Sequence, residues 1–208
     1  MKVIAVTGVP GTGKTMLSKK LTEKLGFYYL DVNKLISKRN LSEGYDKKRK
    51  TKIVDIGKFN ALLINKINVI KKFGKNQLTK NNLDLIFFKI ENNLKKFNGI
   101  SVSPKARSAM ALNNNKSKSI KGIIIDSHLS HYLPKKYIDL CVVAKCNIKK
   151  LGKRLKKKRF HKEKIKENIQ AEIFDVCFNE ALERKHNVLV VDTTKGFNIQ
   201  SIAKHLGG

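Results

Sequence analysis

A chain of 208 residues, 41% of them hydrophobic, is long enough for one α/β domain with a packed core and argues against wholesale disorder. The formal net charge of +29 has two readings: a polyanion partner such as RNA, whose phosphates Lys and Arg would neutralise, or a Lys- and Asn-rich compositional bias that decorates any surface. Trp is absent and aromatics make up only 7%, so stacking platforms for single-stranded bases find little support.

The first element is a buried strand, Val3 to Val6, which runs into Gly8-Val9-Pro10-Gly11-Thr12-Gly13-Lys14-Thr15. That octapeptide reads G-x-x-x-x-G-K-T, a phosphate-cradling P-loop. The glycines let backbone N–H groups turn towards phosphate oxygens with no Cβ in the way, and a helix N-terminus adds partial positive charge there. The helix is Lys14 to Leu25, with Leu17, Leu21 and Leu25 on one face. In this arrangement Lys14 reaches the β- and γ-phosphates and the Thr15 hydroxyl ligates Mg²⁺, so the chain is expected to bind a nucleoside triphosphate.

Gly26 stops the helix, and Phe27 to Val32 reads as a second strand. A short helix, Asn33 to Arg39, precedes a loop around Leu41 to Asp46. Apolar residues Phe59, Leu62, Leu63, Ile67 and Ile70 predict a helix from Phe59 to Phe73. Residues 74–120 read as an insertion. It holds one amphipathic helix with Leu83, Ile86, Phe87, Ile90, Leu94 and Phe97 on one side, then an aperiodic, mobile stretch.

Gly122-Ile123-Ile124-Ile125-Asp126 is an apolar strand ending in an acid, the type and place of a Walker B carboxylate. A carboxylate at the mouth of such a strand is costly unless it pairs or serves a metal; a cap for the next helix is the plainer alternative. His128 follows at the start of the loop facing the phosphates, where by itself it reads as a satisfied loop histidine. His131 completes an H-x-x-H spacing, but no further ligand cluster supports a metal pair.

Tyr137 to Val143 is a fourth strand, followed by a basic helix from about Ile148 and a long amphipathic one from Lys164 to Arg184. Val188 to Asp192 is a fifth strand and Ile199 to Leu206 a last helix. Apolar strands alternating with helices argue for a parallel sheet covered on both faces, with ligand at the carboxyl edge. Cys141, Cys146 and Cys177 form no C-x-x-C pair and read as reduced thiols. No apolar stretch approaches the ~20 residues of a membrane span, and Met1-Lys2 runs straight into the first strand, so a soluble, cytoplasmic protein is expected.

Taken in order, GVPGTGKT, FYYLDVNKLI, LSEGYD, IIIDSHLSHYLP and RLKKKRFHKEKIKENIQAEIF resemble the small adenylate kinase-like NTPases of archaea and eukaryotic nuclei. This is the isoenzyme-six group, also described as a small-subunit ribosome maturation factor. The resemblance covers roughly residues 1 to 70 and 120 to 200. It implies a nucleoside monophosphate (NMP) kinase-like P-loop fold with a five-stranded parallel sheet, an NMP-binding arm at 31–54 and a short lid at 157–167. It also implies phosphoryl transfer from ATP to AMP or another monophosphate, ATP hydrolysis, and a ribosomal-protein partner on the small subunit. Carried over by motif, Gly11, Gly13, Lys14, Thr15 and Met16 would bind ATP phosphates. Asp126 would be the metal-organising acid, with His128 beside it for hydrolysis. The loop Asp192-Thr193-Thr194 would border the adenine.

Two departures stand out. Where the family's lid carries arginine, glycine and an aromatic, this chain reads Lys158-Arg159-Phe160, so the lid cation is either Lys158 or Arg159. Arg offers phosphate a planar fork and Lys a point charge, so the exchange weakens transition-state stabilisation. The arm has Ser37 where family members often carry arginine, with Lys38 and Arg39 next door. From Lys149 to Lys166 there are eleven basic residues and one acid, Glu163, either a solvated face or a site for ribosomal RNA. Three functions remain open: a monophosphate kinase, an ATP-driven assembly factor, and a basic RNA-binding module with an inert P-loop.

Overall fold

Residues Val3 to Thr7 are buried on both faces, which makes β1 (Lys2–Thr7) the centre of a parallel sheet. The computed structural model describes residues 1–39, 41–47, 51–73 and 120–206. The insertion expected at 74–120 lies outside them, apart from residue 120, as do the side chains of residues 37–39. Besides β1, the five-stranded sheet contains β2 (Tyr28–Asp31), β5 (Gly122–Asp126), β6 (Leu140–Lys145) and β7 (Val188–Asp192). Their order is β2-β5-β1-β6-β7, so successive connections leave β1 towards opposite edges. A crevice opens where the order reverses, at the carboxyl end of β1, and the P-loop sits there. With the P-loop motif this is the NMP kinase-like architecture expected above.

Two faces of apolar side chains hold the helices. Val3, Ala5, Ile123 and Ile125 pack with Phe59, Leu63, Ile67 and Ile70 of α3 (Ile56–Phe73). Ile4, Val6 and Ile124 pack with Leu17 and Leu21 of α1 (Lys14–Leu25) and with Ile202 of the last helix. A smaller cluster lies under the P-loop, where Val9 and Cys146 meet Leu151 and Leu155 of α4 (Ile148–Lys157). Asn147 caps α4 by accepting from the Lys149 N–H at 3.0 Å. Phe160, Ile165 and Ile169 pack against that cluster from α5 (Lys162–Ile173) and the turn before it. Among the described residues no helix is long and apolar enough to cross a membrane.

The structure departs from the sequence reading in four places. The expected loop around Leu41 to Asp46 is half of an antiparallel hairpin, β3 (Ser42–Asp46) with β4 (Thr51–Val54). It is closed at its base by the Asp55 N–H donating to the Leu41 carbonyl at 3.0 Å. The short helix α2 (Val32–Arg39) precedes it. Second, α3 starts at Ile56, not Phe59, because the Asp55 carboxylate accepts from the Lys58 N–H at 2.9 Å. Third, residues Lys135–Tyr137 form a 3-10 turn, so the strand expected from Tyr137 begins at Leu140. Fourth, the helix expected from Lys164 to Arg184 is two, α5 and α6 (Val176–Glu183). They meet at Asp175, which has φ 52° and pairs its carboxylate with Lys145 at the end of β6. The period of apolar residues runs through this break, so it is invisible to pattern. The chain closes with α7 (Ile199–His205).

The turn from α4 to α5 is closed by its own backbone. Phe160 N–H reaches the Leu155 carbonyl and Arg159 N–H the Lys156 carbonyl, which is a Schellman closure with Phe160 on the Leu155 cluster. Its left-handed position falls on Arg159, at φ 57°. Arg159 thus holds a backbone conformation that favours glycine. A left-handed L-residue costs roughly 1–2 kcal/mol, part of which Gly gives back as unfolded-chain entropy. Arg159→Gly is therefore expected to stabilise the protein by up to about 1 kcal/mol, a few degrees in Tm for a chain of this size. Thermal unfolding of the two proteins checks it; an unchanged or lower Tm contradicts the assignment of strain.

Candidate functional site

The site begins with two glycines whose positive φ would strain any side chain. At Gly8, φ 135°, a Cβ would lie 2.4 Å from the Ala144 carbonyl oxygen of β6. At Gly13, φ 97°, it would press on the Thr193 side chain at 3.1 Å. The loop is also tied to itself. Val9 O accepts from the Thr12 N–H at 3.2 Å, the Thr12 hydroxyl at 2.8 Å and Lys14 Nζ at 3.2 Å.

Lys14 is buried, and its ammonium is pushed down to about 8, chiefly by loss of water, with Asp126 opposing the shift. Asp126 is 1% exposed. Register explains their proximity, since Asp126 lies beside Val6, two residues before the P-loop begins. Both belong to the face that carries α1. One carboxylate oxygen, Oδ2, accepts from the Tyr29 hydroxyl at 2.8 Å; the other, Oδ1, is buried with no partner. Burial and the neighbouring carboxylate push the Tyr29 phenol up, so it remains a donor.

A buried, ionisable oxygen without a partner fits a magnesium ion or a water bound to one. Thr15 offers an exposed hydroxyl at the start of α1. Among the described residues no three His, Cys, Asp or Glu side chains gather as a metal cage. The donor set therefore suits a hard cation whose remaining ligands are phosphates and water. His131 belongs to a different network. Its Nε2–H donates to Glu180 Oε2 at 2.7 Å, which leaves Nδ1 to accept from the Thr7 hydroxyl at 2.7 Å. His128 is half-buried, and burial together with the Lys14 charge takes it down to about 4, so its ring is neutral at working pH.

A cavity of about 640 Å³ opens over the loop, lined by Gly11, Gly13, Lys14, Thr15, Met16, Arg154, Lys157 and Lys158. That volume suits a nucleotide. It gathers all the expected phosphate-binding residues except Arg159. Lys158 faces it, and Arg159 does not line it.

Two residues brace the loop in ways the sequence did not indicate. Arg154 donates to the Thr193 carbonyl at 2.9 Å, to the Gly11 carbonyl at 3.4 Å and to Cys146 Sγ at 3.2 Å. The signal available was an arginine between Leu151 and Leu155, on the inward side of a lysine-rich helix. Thr193, expected at the adenine, is fully buried and donates to the Thr12 carbonyl. It props the P-loop from below. Tyr29, the donor on Asp126, had no sequence signal at all.

A family described as AAA domain matches residues 4–175. A protein of Thermococcus kodakarensis named "Putative adenylate kinase" is 31% identical over 92% of this chain and 76% of its own length. Its namesake in Methanocaldococcus jannaschii is 30% identical over 92% of this chain and 76% of its own. Deoxyadenosine kinase from M. mycoides with bound dATP superposes with a TM-score of 0.45 at 14% identity, over 100% of both chains. The chain belongs to the AAA domain family.

Lys14 carries a testable pH dependence. In the free protein it is charged below about 8 and loses its proton as pH rises through that value. Polyphosphate needs the charged form, so above pH 8 binding must take up a proton. Nucleotide Kd is expected to be flat below pH 7.5 and to rise by up to about tenfold per unit above 8. Calorimetry in buffers of different ionisation enthalpy checks both the slope and the proton uptake; a Kd constant to pH 9.5 contradicts it.

Proposed function

We propose that this AAA domain protein is an adenylate kinase-type phosphotransferase of the isoenzyme-six-like group. It transfers the terminal phosphoryl of ATP to AMP or another nucleoside monophosphate and hydrolyses ATP when no acceptor is bound. The observation that carries the reading is a buried Asp126, its Oδ1 without a partner, whose charge acts on Lys14, a residue lining a cavity rimmed by cations. The names of the archaeal relatives support the same reaction.

Phosphoryl transfer asks the protein for position and charge rather than for covalent chemistry. Lys14 and the backbone N–H groups from Gly11 to Thr15 hold the β- and γ-phosphates. Lys158, with Lys157, supplies the lid charge, as a point cation rather than a fork. Magnesium bound with the triphosphate would neutralise its oxygens, with the Thr15 hydroxyl and Asp126 Oδ1 as the protein's share. His128, kept neutral, has a ring nitrogen free to accept from an attacking water, which accounts for hydrolysis without an acceptor. Residues 31–54, α2 and the β3–β4 hairpin, serve as the monophosphate arm, and 157–167 as the lid.

A second role, in small ribosomal subunit maturation, is favoured by one surface. Lys149, Lys150, Lys153 and Lys156 are exposed on α4, and none is in an ion pair among the described residues. Four unpartnered like charges on ten helical residues suit a phosphate backbone such as ribosomal RNA, beside a ribosomal-protein partner in the cytoplasm.

Product analysis tests the chemistry. ADP formation is expected to accelerate when AMP is added, with slower phosphate release in its absence. Lys14→Ala should cut both by at least about 100-fold; turnover at the original rate would mean an inert P-loop in a basic binding protein. For the surface, changing the four α4 lysines to Gln should weaken binding to a short RNA duplex and flatten its salt dependence. Affinity that does not change between 50 and 200 mM salt removes this second role.

A further inference from the structure

We infer that Tyr29 is a positioning residue for Asp126: it holds one carboxylate oxygen so that the other is presented to the metal and its waters. The inference rests on the reading of Asp126 as the metal-organising acid. Its basis is the way the two oxygens of one buried carboxylate are treated differently.

Asp126 ends β5, and β2 runs beside it in parallel register, Tyr29 next to Ile124 and Asp31 next to Asp126. Side chains alternate along a strand, so Tyr28 and Tyr29 point to opposite faces. Tyr28 packs in the core cluster with Val3, Ile123 and Ile125. Tyr29 therefore shares the face of Ile124 and Asp126, two residues short of the carboxylate along the strand. That gap is roughly 6.6 Å, a span that a phenol crosses and a Ser, Thr or Asn does not. The hydroxyl arrives 2.8 Å from Oδ2.

A carboxylate 1% exposed has no bulk water to fix its plane. Without Tyr29 both oxygens would be orphans, and the group would be free to turn about its last bond or to take a proton. With Oδ2 held, the plane is set, and Oδ1 is the oxygen left unpartnered. Tyr29 does not itself line the nucleotide cavity, and its hydroxyl is held on Asp126.

Removing the hydroxyl is expected to separate metal binding from nucleotide binding. In Tyr29→Phe, Mn²⁺ titrated into the protein–ADP complex and followed by electron paramagnetic resonance should bind about tenfold more weakly, the loss of one hydrogen bond to a charged group. ADP affinity without metal should stay within about twofold, which also reports an intact fold. The Mg²⁺ concentration that half-saturates turnover should rise by the same factor, with KM for ATP at saturating Mg²⁺ unchanged. Asp126→Asn completes a cycle: if Tyr29 acts through the carboxylate, Tyr29→Phe has no further effect on Mn²⁺ binding in that background. Penalties that add, or a Tyr29→Phe protein with wild-type Mn²⁺ affinity, overturn the inference while leaving the reading of Asp126 intact. An Asp126→Asn protein with wild-type Mn²⁺ affinity and turnover would instead sink the reading of the site on which the inference stands.

Discussion

The structure turns on two opposite charges that neither water nor a third group fully compensates. Lys14 and Asp126 are both buried at the mouth of the crevice, one at the start of α1 and the other one strand away. A lone charge in that position would be expensive enough to neutralise itself. Together they are tolerable, but incompletely. The lysine still loses part of its proton affinity to dehydration, and the acid keeps one oxygen without a partner. In the proposed reading a polyphosphate and its cation would give each charge its complement.

The surroundings make this arrangement rigid. The loop is closed on Val9 O by three donors, propped from below by Thr193 and tied to the α4 side by Arg154. On the far side Thr7, the last residue of β1, donates to His131, which is itself held by Glu180 of α6. The Glu172 carboxylate of α5 accepts from the Cys146 N–H at 2.7 Å. Helices that carry the cationic rim are thereby registered against the sheet that carries the phosphate loop.

What could be read directly from the residues was whatever local chemistry makes obligatory. GVPGTGKT needs its glycines wherever it occurs, and three isoleucines followed by Asp126 announce a buried strand with an acid at its mouth. The chain order of strands and helices then yields the doubly covered sheet. What stayed hidden depends on contacts between distant segments. The break at Asp175 follows from an ion pair with Lys145, thirty positions away, while the apolar period runs on undisturbed. The β3–β4 hairpin is short and charged, so neither strand shows a clean alternation. That Arg159 occupies a left-handed corner is set by the closure of the turn after α4, not by local pattern. Tyr29 and Thr193 act through atoms that only the folded sheet brings near Asp126 and Thr12.

The Thr193 prop sets an order of events. The hydroxyl that supports the phosphate loop comes from 181 positions further along the chain. Arg154, which joins the same two segments, also arrives late. A nascent chain long enough to spell the whole motif therefore lacks the groups that hold it open. The loop is braced only once the segment after β7 has docked beneath it, so its support is a contact of high sequence separation rather than a nucleus for folding.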